Sequence, residues 1–123
     1  MKRSVLICDD AKIMRAMMRK LLEESGYFEI VGEAGDGFAA IQQYEKLKPS
    51  LVVLDLNMPI RDGATVAKEI LQKDPQAKFM VVTTKSLKRK AESLQELGVL
   101  HISYKPLDAY EFVRTAMKAC GLG

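Results

Sequence analysis

Five short apolar runs, each followed by a longer amphipathic stretch, leave this chain few folds to choose from. "SVLIC" (4–8) precedes "KIMRAMMRKLLEESG" (12–26), and "FEIVGEA" (28–34) precedes "GFAAIQQYEKLK" (37–48). "LVVLD" (51–55) precedes "GATVAKEILQK" (63–73), "KFMVVTT" (78–84) precedes "LKRKAESLQELG" (87–98), and "HISY" (101–104) precedes "AYEFVRTAMKAC" (109–120). The short runs have strand length and the long ones a helical period; Ile13, Met17 and Leu21 mark one face of the first helix. Gly26, Pro49, Pro75 and Gly98 are stop signals, and Pro106 and Asp108 open the last helix. Parallel neighbours need crossover connections, so strict strand–helix alternation implies a parallel sheet with helices on both faces. Runs one, three and four are almost continuously apolar, as strands covered on both sides should be. The expected class is a doubly wound α/β fold.

A chain of 123 residues suits one domain spanning 1–123. With 48% apolar and 28% charged residues, the composition is that of a soluble globular protein. No apolar run approaches the ~20 residues that span a bilayer. The basic start Met1-Lys2-Arg3-Ser4 is followed by an apolar stretch that ends at Asp9, too short for a signal peptide. A cytoplasmic location without membrane insertion is therefore expected. Cys8 and Cys120 lie in apolar contexts at opposite ends of the chain and read as reduced thiols. A net charge of +3 is too small to argue for nucleic acid. His101, the sole histidine, lacks metal-ligand spacing.

In folds of this class chemistry gathers beyond the carboxyl ends of the strands. Strand one ends in Asp9-Asp10, strand three in Asp55, strand four in Thr83-Thr84, and strand five in Tyr104-Lys105-Pro106. Three carboxylates, a hydroxyl and an ammonium thus fall at one rim. A carboxylate closing a buried strand is costly unless it is used, and three together repel unless a cation joins them. Oxygen ligands favour a hard ion, and Mg²⁺ suits a few carboxylates with waters and a phosphate. A lysine and a threonine opposite would suit an anion's oxygens. Taken singly, each group has an ordinary structural reading: Asp10 as the N-cap of the first helix, Thr83 as a β-former, Lys105 as a solvated loop residue. Those readings do not explain why all five groups share one end of the sheet.

"LICDDAKIMR", "LVVLDLNMPIRDG", "VVTT" and "SYKP" resemble the receiver domain of two-component response regulators. The resemblance runs from the first strand to the last helix, and "DDAKIMR" is most similar to stand-alone chemotaxis-type receivers. It implies a flavodoxin-like (βα)5 fold with strand order 2-1-3-4-5. Asp55 would be the phosphoacceptor, taking a phosphoryl group from the phosphohistidine of a sensor histidine kinase. Asp10 and Asp55 would bind Mg²⁺ directly, Asp9 mainly through water, and Asn57 through its backbone carbonyl. The Thr83 hydroxyl and the Lys105 ammonium would meet the phosphoryl oxygens, and the Lys105–Pro106 peptide is often cis in the family. Such a domain assists its own phosphorylation and dephosphorylation and is not an enzyme acting on a separate substrate.

Some positions depart from the family pattern. Ile102 stands where the family often has a rotating aromatic, although Tyr104 shares its strand parity. Thr84 stands where a smaller residue is common, and Lys85 could approach the phosphoryl group. Output is expected on the face of helix four, strand five and helix five, with Lys88, Arg89, Lys90, Ile102 and Tyr104. The basic run suits a partner segment rich in Asp or Glu; its ordinary reading is a solvated face, although cations are disfavoured at a helix N-terminus. Met14, Met17 and Met18 are expected in and beside the core. If the chain is complete, no DNA-binding domain follows residue 123 and output is expected through protein contacts, from a monomer or, alternatively, a dimer. A phosphorylation-independent degenerate receiver is one alternative, opposed by the intact Asp/Asp/Asp/Thr/Lys set. A haloacid-dehalogenase-type phosphohydrolase is another, opposed by Asn57 where a second acid would stand and by the lack of chain for a cap domain.

Overall fold

The computed structural model describes residues 1–122. Strands β1 (Arg3–Cys8), β2 (Phe28–Ala34), β3 (Leu51–Asp55), β4 (Phe79–Thr83) and β5 (His101–Tyr104) form one sheet in the order β2-β1-β3-β4-β5. Every pairing in it is parallel. Side chains alternate between the two faces along each strand. Leu6, Val52, Leu54 and Val81 therefore pack under Tyr44 of α2 (Gly37–Leu47), Val66 and Ile70 of α3 (Gly63–Lys73), and Leu94. Their neighbours Val5, Ile7, Val53, Met80 and Val82 pack under Met18 and Leu22 of α1 (Lys12–Ser25) and Phe112 and Ala116 of α5 (Ala109–Ala119). The doubly wound architecture and strand order expected from the sequence are thus present. Among the described residues, no helix is long and apolar enough to cross a membrane.

Aspartates start three of the helices: Asp36, Asp62 and Asp108 accept hydrogen bonds from the amides of Ala39, Thr65 and Glu111, so each removes an orphan helix donor. Asp10 does not do this. The N-cap of α1 is Ala11, with no side-chain cap, which removes the ordinary reading of Asp10.

The face of α1 differs from the expected stripe. Met18 and Leu22 are buried, whereas Ile13 is 82% and Met17 44% exposed; Leu21 and Met14 only flank the core. Two apolar stripes offset by one residue satisfy the same period. Polar pairing selects between them, because Arg15 and Arg19 both reach Glu33 on β2. Residues 15, 18, 19 and 22 share one helical face, so those pairs turn Met18 and Leu22 toward the core.

The fourth helical region is also not the continuous helix expected over 87–98. It consists of a 3-10 turn (Lys85–Leu87), a short α4 (Lys88–Ser93) and a second 3-10 turn (Leu94–Leu97), closed by Gly98 at φ 97°. Leu87 caps α4 without a side-chain hydrogen bond, and only Ala91 within α4 is buried. A narrow apolar stripe, a missing cap and cations at the N-terminus all weaken regular helix here. Strand β4 ends at Thr83, one residue early, and leaves Thr84 exposed with its hydroxyl 2.7 Å from that of Ser86.

Candidate functional site

The register of the sheet assembles the acidic rim. Cys8 pairs with Leu54, which sets Asp9 beside Asp55 one step on; Asp55 pairs with Val82, and Thr83 pairs with Tyr104. One carboxylate oxygen from each of Asp9, Asp10 and Asp55 lies within 4.8 Å of the others. Asp9 is fully buried and Asp55 is 3% exposed, whereas Asp10 faces solvent.

Lys105 binds this rim together. Its Nζ donates to Asp9 Oδ2 at 3.0 Å and to Asp55 Oδ2 at 3.4 Å. Its backbone amide donates to the Thr83 carbonyl at 2.7 Å, and the peptide to Pro106 is cis. The remaining oxygens are also engaged: Ala11 N–H donates to Asp9 Oδ1 at 2.9 Å and Asn57 N–H to Asp55 Oδ1 at 3.0 Å. A fully buried carboxylate with these partners is satisfied, so Asp9 is tied to Lys105 and the α1 entry. The Thr83 hydroxyl is the exception, being buried without a hydrogen-bond partner. An unpartnered buried hydroxyl costs about 1–3 kcal/mol, so it marks a place where an acceptor oxygen would be stabilised.

Burial pushes the Asp55 carboxyl above the ordinary carboxylate range, with Asp9 adding to the shift and the Asn57 amide and Lys105 opposing it. Burial works against the charge on Lys105, but its hydrogen bond to Asp9 and the negative charge of Asp55 hold it above the usual lysine value. Between the unfolded-state pKa of Asp55, near 3.8, and its higher folded value, the native state holds the proton more tightly, so stability falls as pH rises. Above the folded value the full penalty is present. Asp55→Asn is therefore expected to raise the melting temperature in chelator at pH 7, with a gain that shrinks as pH falls toward the unfolded-state value. A melting temperature equal to or below that of the parent at pH 7 contradicts this.

The segment after Asp55 is stapled back on the strand. Gly63 N–H donates to the Leu56 carbonyl at 3.1 Å, and a Cβ at Gly63 would lie 2.3 Å from the Asp55 carbonyl oxygen. The Pro59 carbonyl accepts from Gly37 and Arg61, with Ile60 at φ 70° and 75% exposed. This i to i+2 hydrogen bond around a positive φ is a strained γ-turn.

The chain matches the family described as response regulator receiver domain over residues 5–116. It belongs to the response regulator receiver family. Protein CcdB of Bacillus subtilis is 38% identical over 117 residues, 95% of this chain and 97% of CcdB. Chemotaxis protein CheY of Thermotoga maritima is 34% identical over 118 residues, 96% of this chain and 98% of that protein. A chain of the CheX–CheY–BeF3–Mg²⁺ complex from Borrelia burgdorferi superposes with a TM-score of 0.88 at 25% identity, covering 94% of this receiver and 87% of that chain. Receiver domains are signalling domains that engage histidine kinases and downstream proteins, with phosphorylation and Mg²⁺ binding general to the family. The residues of this receiver fit that cation: three carboxylates converge, one is accessible, and the unpartnered Thr83 hydroxyl waits at the same end of the sheet.

The output candidates fall into two groups. Lys85, Lys88 and Arg89 are exposed and form no ion pair among the described residues. Lys90 instead donates to Asp62 Oδ2 at 3.0 Å, joining α4 to the start of α3. Ile102 and Tyr104 are half-buried, and Ile102 packs against the core on the α2–α3 side. Two contributions to the site were missed in the sequence. One is the Lys90–Asp62 tie; the other is Arg15, which donates to the Asp9 carbonyl at 2.7 Å. The helical spacing of Arg15 and Arg19 opposite Glu33 on a strand was the available signal for the second.

Proposed function

We propose that the whole chain, 1–123, is one cytoplasmic receiver domain that accepts a phosphoryl group on Asp55 and passes the change on through protein contacts. The observation that carries this reading is the buried Asp55 carboxylate, 3% exposed, sharing the sheet's end with an unpartnered Thr83 hydroxyl. A carboxylate oxygen of Asp55 attacks the phosphorus of a kinase phosphohistidine. The new O–P bond forms as the P–N bond breaks, and its electron pair leaves with the imidazole. Asp10, Asp55 and the Asn57 carbonyl would hold Mg²⁺, whose chemistry is to neutralise phosphoryl oxygens during transfer. Thr83 donates its hydroxyl to one phosphoryl oxygen, ending its unpartnered state. Lys105 is already oriented by Asp9, so turning from Asp55 toward a phosphoryl oxygen replaces one anionic acceptor by another. The domain is a phosphoacceptor rather than an enzyme with a separate substrate. A phosphorylation-independent module leaves the unpartnered Thr83 hydroxyl unexplained, and the phosphohydrolase reading is opposed by Asn57, which stands where a second acid would be needed.

The test of this reading is labelling. With a small phosphodonor and Mg²⁺, intact mass should show one added phosphoryl group, mapped to the peptide holding Asp55. Labelling without Mg²⁺ at an equal rate, or on another residue, overturns it.

For output, capture of the phosphoryl group by Thr83 would pull on the loop that runs from Thr84 into the short, weakly held α4, a segment suited to shifting between two arrangements. The partner proposed is a downstream protein segment rich in Asp or Glu, in a chemotaxis-type pathway like those named for the CheY relatives. Lys88→Glu/Arg89→Glu is the appropriate probe, since Lys90 is engaged with Asp62. The phosphorylated variant should lose both affinity for such a segment and its salt dependence; unchanged binding would make the basic run a solvated face.

A further inference from the structure

Asp10 is the accessible arm of the carboxylate trio, and its side chain makes no hydrogen bond or ion pair among the described residues. Its position is therefore inherited from the backbone that leads into it. The peptide plane joining Asp9 to Asp10 carries the Asp9 carbonyl, and that oxygen accepts from Arg15 Nη1 at 2.7 Å. The Asp9 amide on the other side is held by the Ala34 carbonyl at 3.0 Å. Arg15 is itself fixed: its Nε donates to Glu33 Oε1 at 2.9 Å, while Arg19 holds the other oxygen of Glu33, also at 2.9 Å. Gly35 leaves room for the guanidinium, since a Cβ there would stand 3.3 Å from Arg15 Nη1. The Arg15 side chain is only 18% exposed, so it is a packed fork and not a solvated charge. With one nitrogen on Glu33 and another on the Asp9 carbonyl, it makes two directed bonds that a lysine ammonium cannot reproduce in the same plane.

We infer that Arg15 is a positioning residue for the Mg²⁺ site: by clamping the Asp9 carbonyl it fixes the peptide plane from which Asp10 reaches the cation. This inference rests on the proposed function above, because it needs the acidic rim to bind Mg²⁺. Arg15 is a positive charge near a cation site, so through electrostatics alone its removal would tighten Mg²⁺ binding. Through positioning, its removal weakens binding, because groups that orient metal ligands typically govern about 10–100-fold of affinity.

The experiment is Mg²⁺ titration of the full chain at fixed ionic strength, followed by NMR amide shifts of residues around the rim, with the melting temperature in chelator measured alongside. Arg15→Met and Arg15→Lys are each expected to raise the Mg²⁺ dissociation constant about tenfold and to shift the Asp10 and Ala11 amides before any Mg²⁺ is added. Glu33→Gln should have a smaller effect of the same sign, since Arg15 can still reach the Asp9 carbonyl. If Arg15→Met does not fold, Arg15→Lys decides the question with the charge kept. Mg²⁺ affinity that is unchanged or tighter in a folded Arg15 variant overturns the positioning role and leaves the receiver reading intact. A parent protein that binds no Mg²⁺ overturns both.

Discussion

Asp55→Asn is expected to carry no phosphoryl group after incubation with a small phosphodonor and Mg²⁺, under conditions in which the parent protein gains one. The reason is chemical before it is structural. An amide oxygen is a far weaker nucleophile than a carboxylate, and phosphoryl transfer asks the protein mainly for a positioned nucleophile and neutralised oxygens. The fold tolerates the change, because an amide oxygen can still accept from the Asn57 N–H and Lys105 retains Asp9. Lost labelling therefore reports lost chemistry and not unfolding, and the expected rise in melting temperature in chelator checks this in the same samples. The other carboxylates serve as a contrast. Asp10→Asn keeps the nucleophile and removes an accessible ligand, so labelling should slow without disappearing. Intact-mass analysis showing equal labelling of Asp55→Asn would place the acceptor elsewhere.

Gly63→Ala is expected to destabilise the protein by about 3 kcal/mol, measured by denaturant unfolding. Two effects oppose each other here. Gly63 opens α3, and inside an exposed helix alanine is favoured over glycine by about 1 kcal/mol. At this position, however, the added Cβ would stand 2.3 Å from the Asp55 carbonyl oxygen and 2.7 Å from the Leu56 Cα. Both are backbone atoms, so no rotamer change relieves the overlap; α3 must move off the end of β3. That movement also stretches the Gly63–Leu56 hydrogen bond of 3.1 Å and shifts Asp55, so labelling should slow as well. Gly26 is a suitable control. Its φ is 85°, and a Cβ there would have nothing within 4 Å, so alanine should cost only about 1–2 kcal/mol, from the left-handed backbone alone. A Gly63→Ala protein as stable as the parent would mean that the close approach of α3 to β3 is not needed.

Much of this molecule was legible in the order of its residues. Strand–helix alternation requires crossovers and hence a parallel sheet. The near-continuous apolar runs of β3 and β4 require cover on both faces, because each face of a strand must be buried by something. The carboxyl-end rule then put Asp9, Asp10, Asp55, Thr83 and Lys105 at one rim, and the sheet register brings those strand ends together. These features depend on local period and connectivity, which a sequence carries directly. Other features depend on contacts between residues far apart in the chain, and only the tertiary structure decided them. The rotation of α1 is one: Ile13–Met17–Leu21 and Met18–Leu22 fit the helical period equally well, and the pairing of Arg15 and Arg19 with Glu33 selected the second. The division of the fourth helix is another, because the helical period runs on through 87–98 and only the way Ala91 and Leu94 seat on the core shows that regular helix stops at Ser93. The state of the rim is the third. Lys105 could be placed beside the carboxylates from its position after β5, but its attachment to the fully buried Asp9 arises from burial and geometry. A charge's partner is set by which oxygens are left without water, and that depends on the packing of the whole sheet.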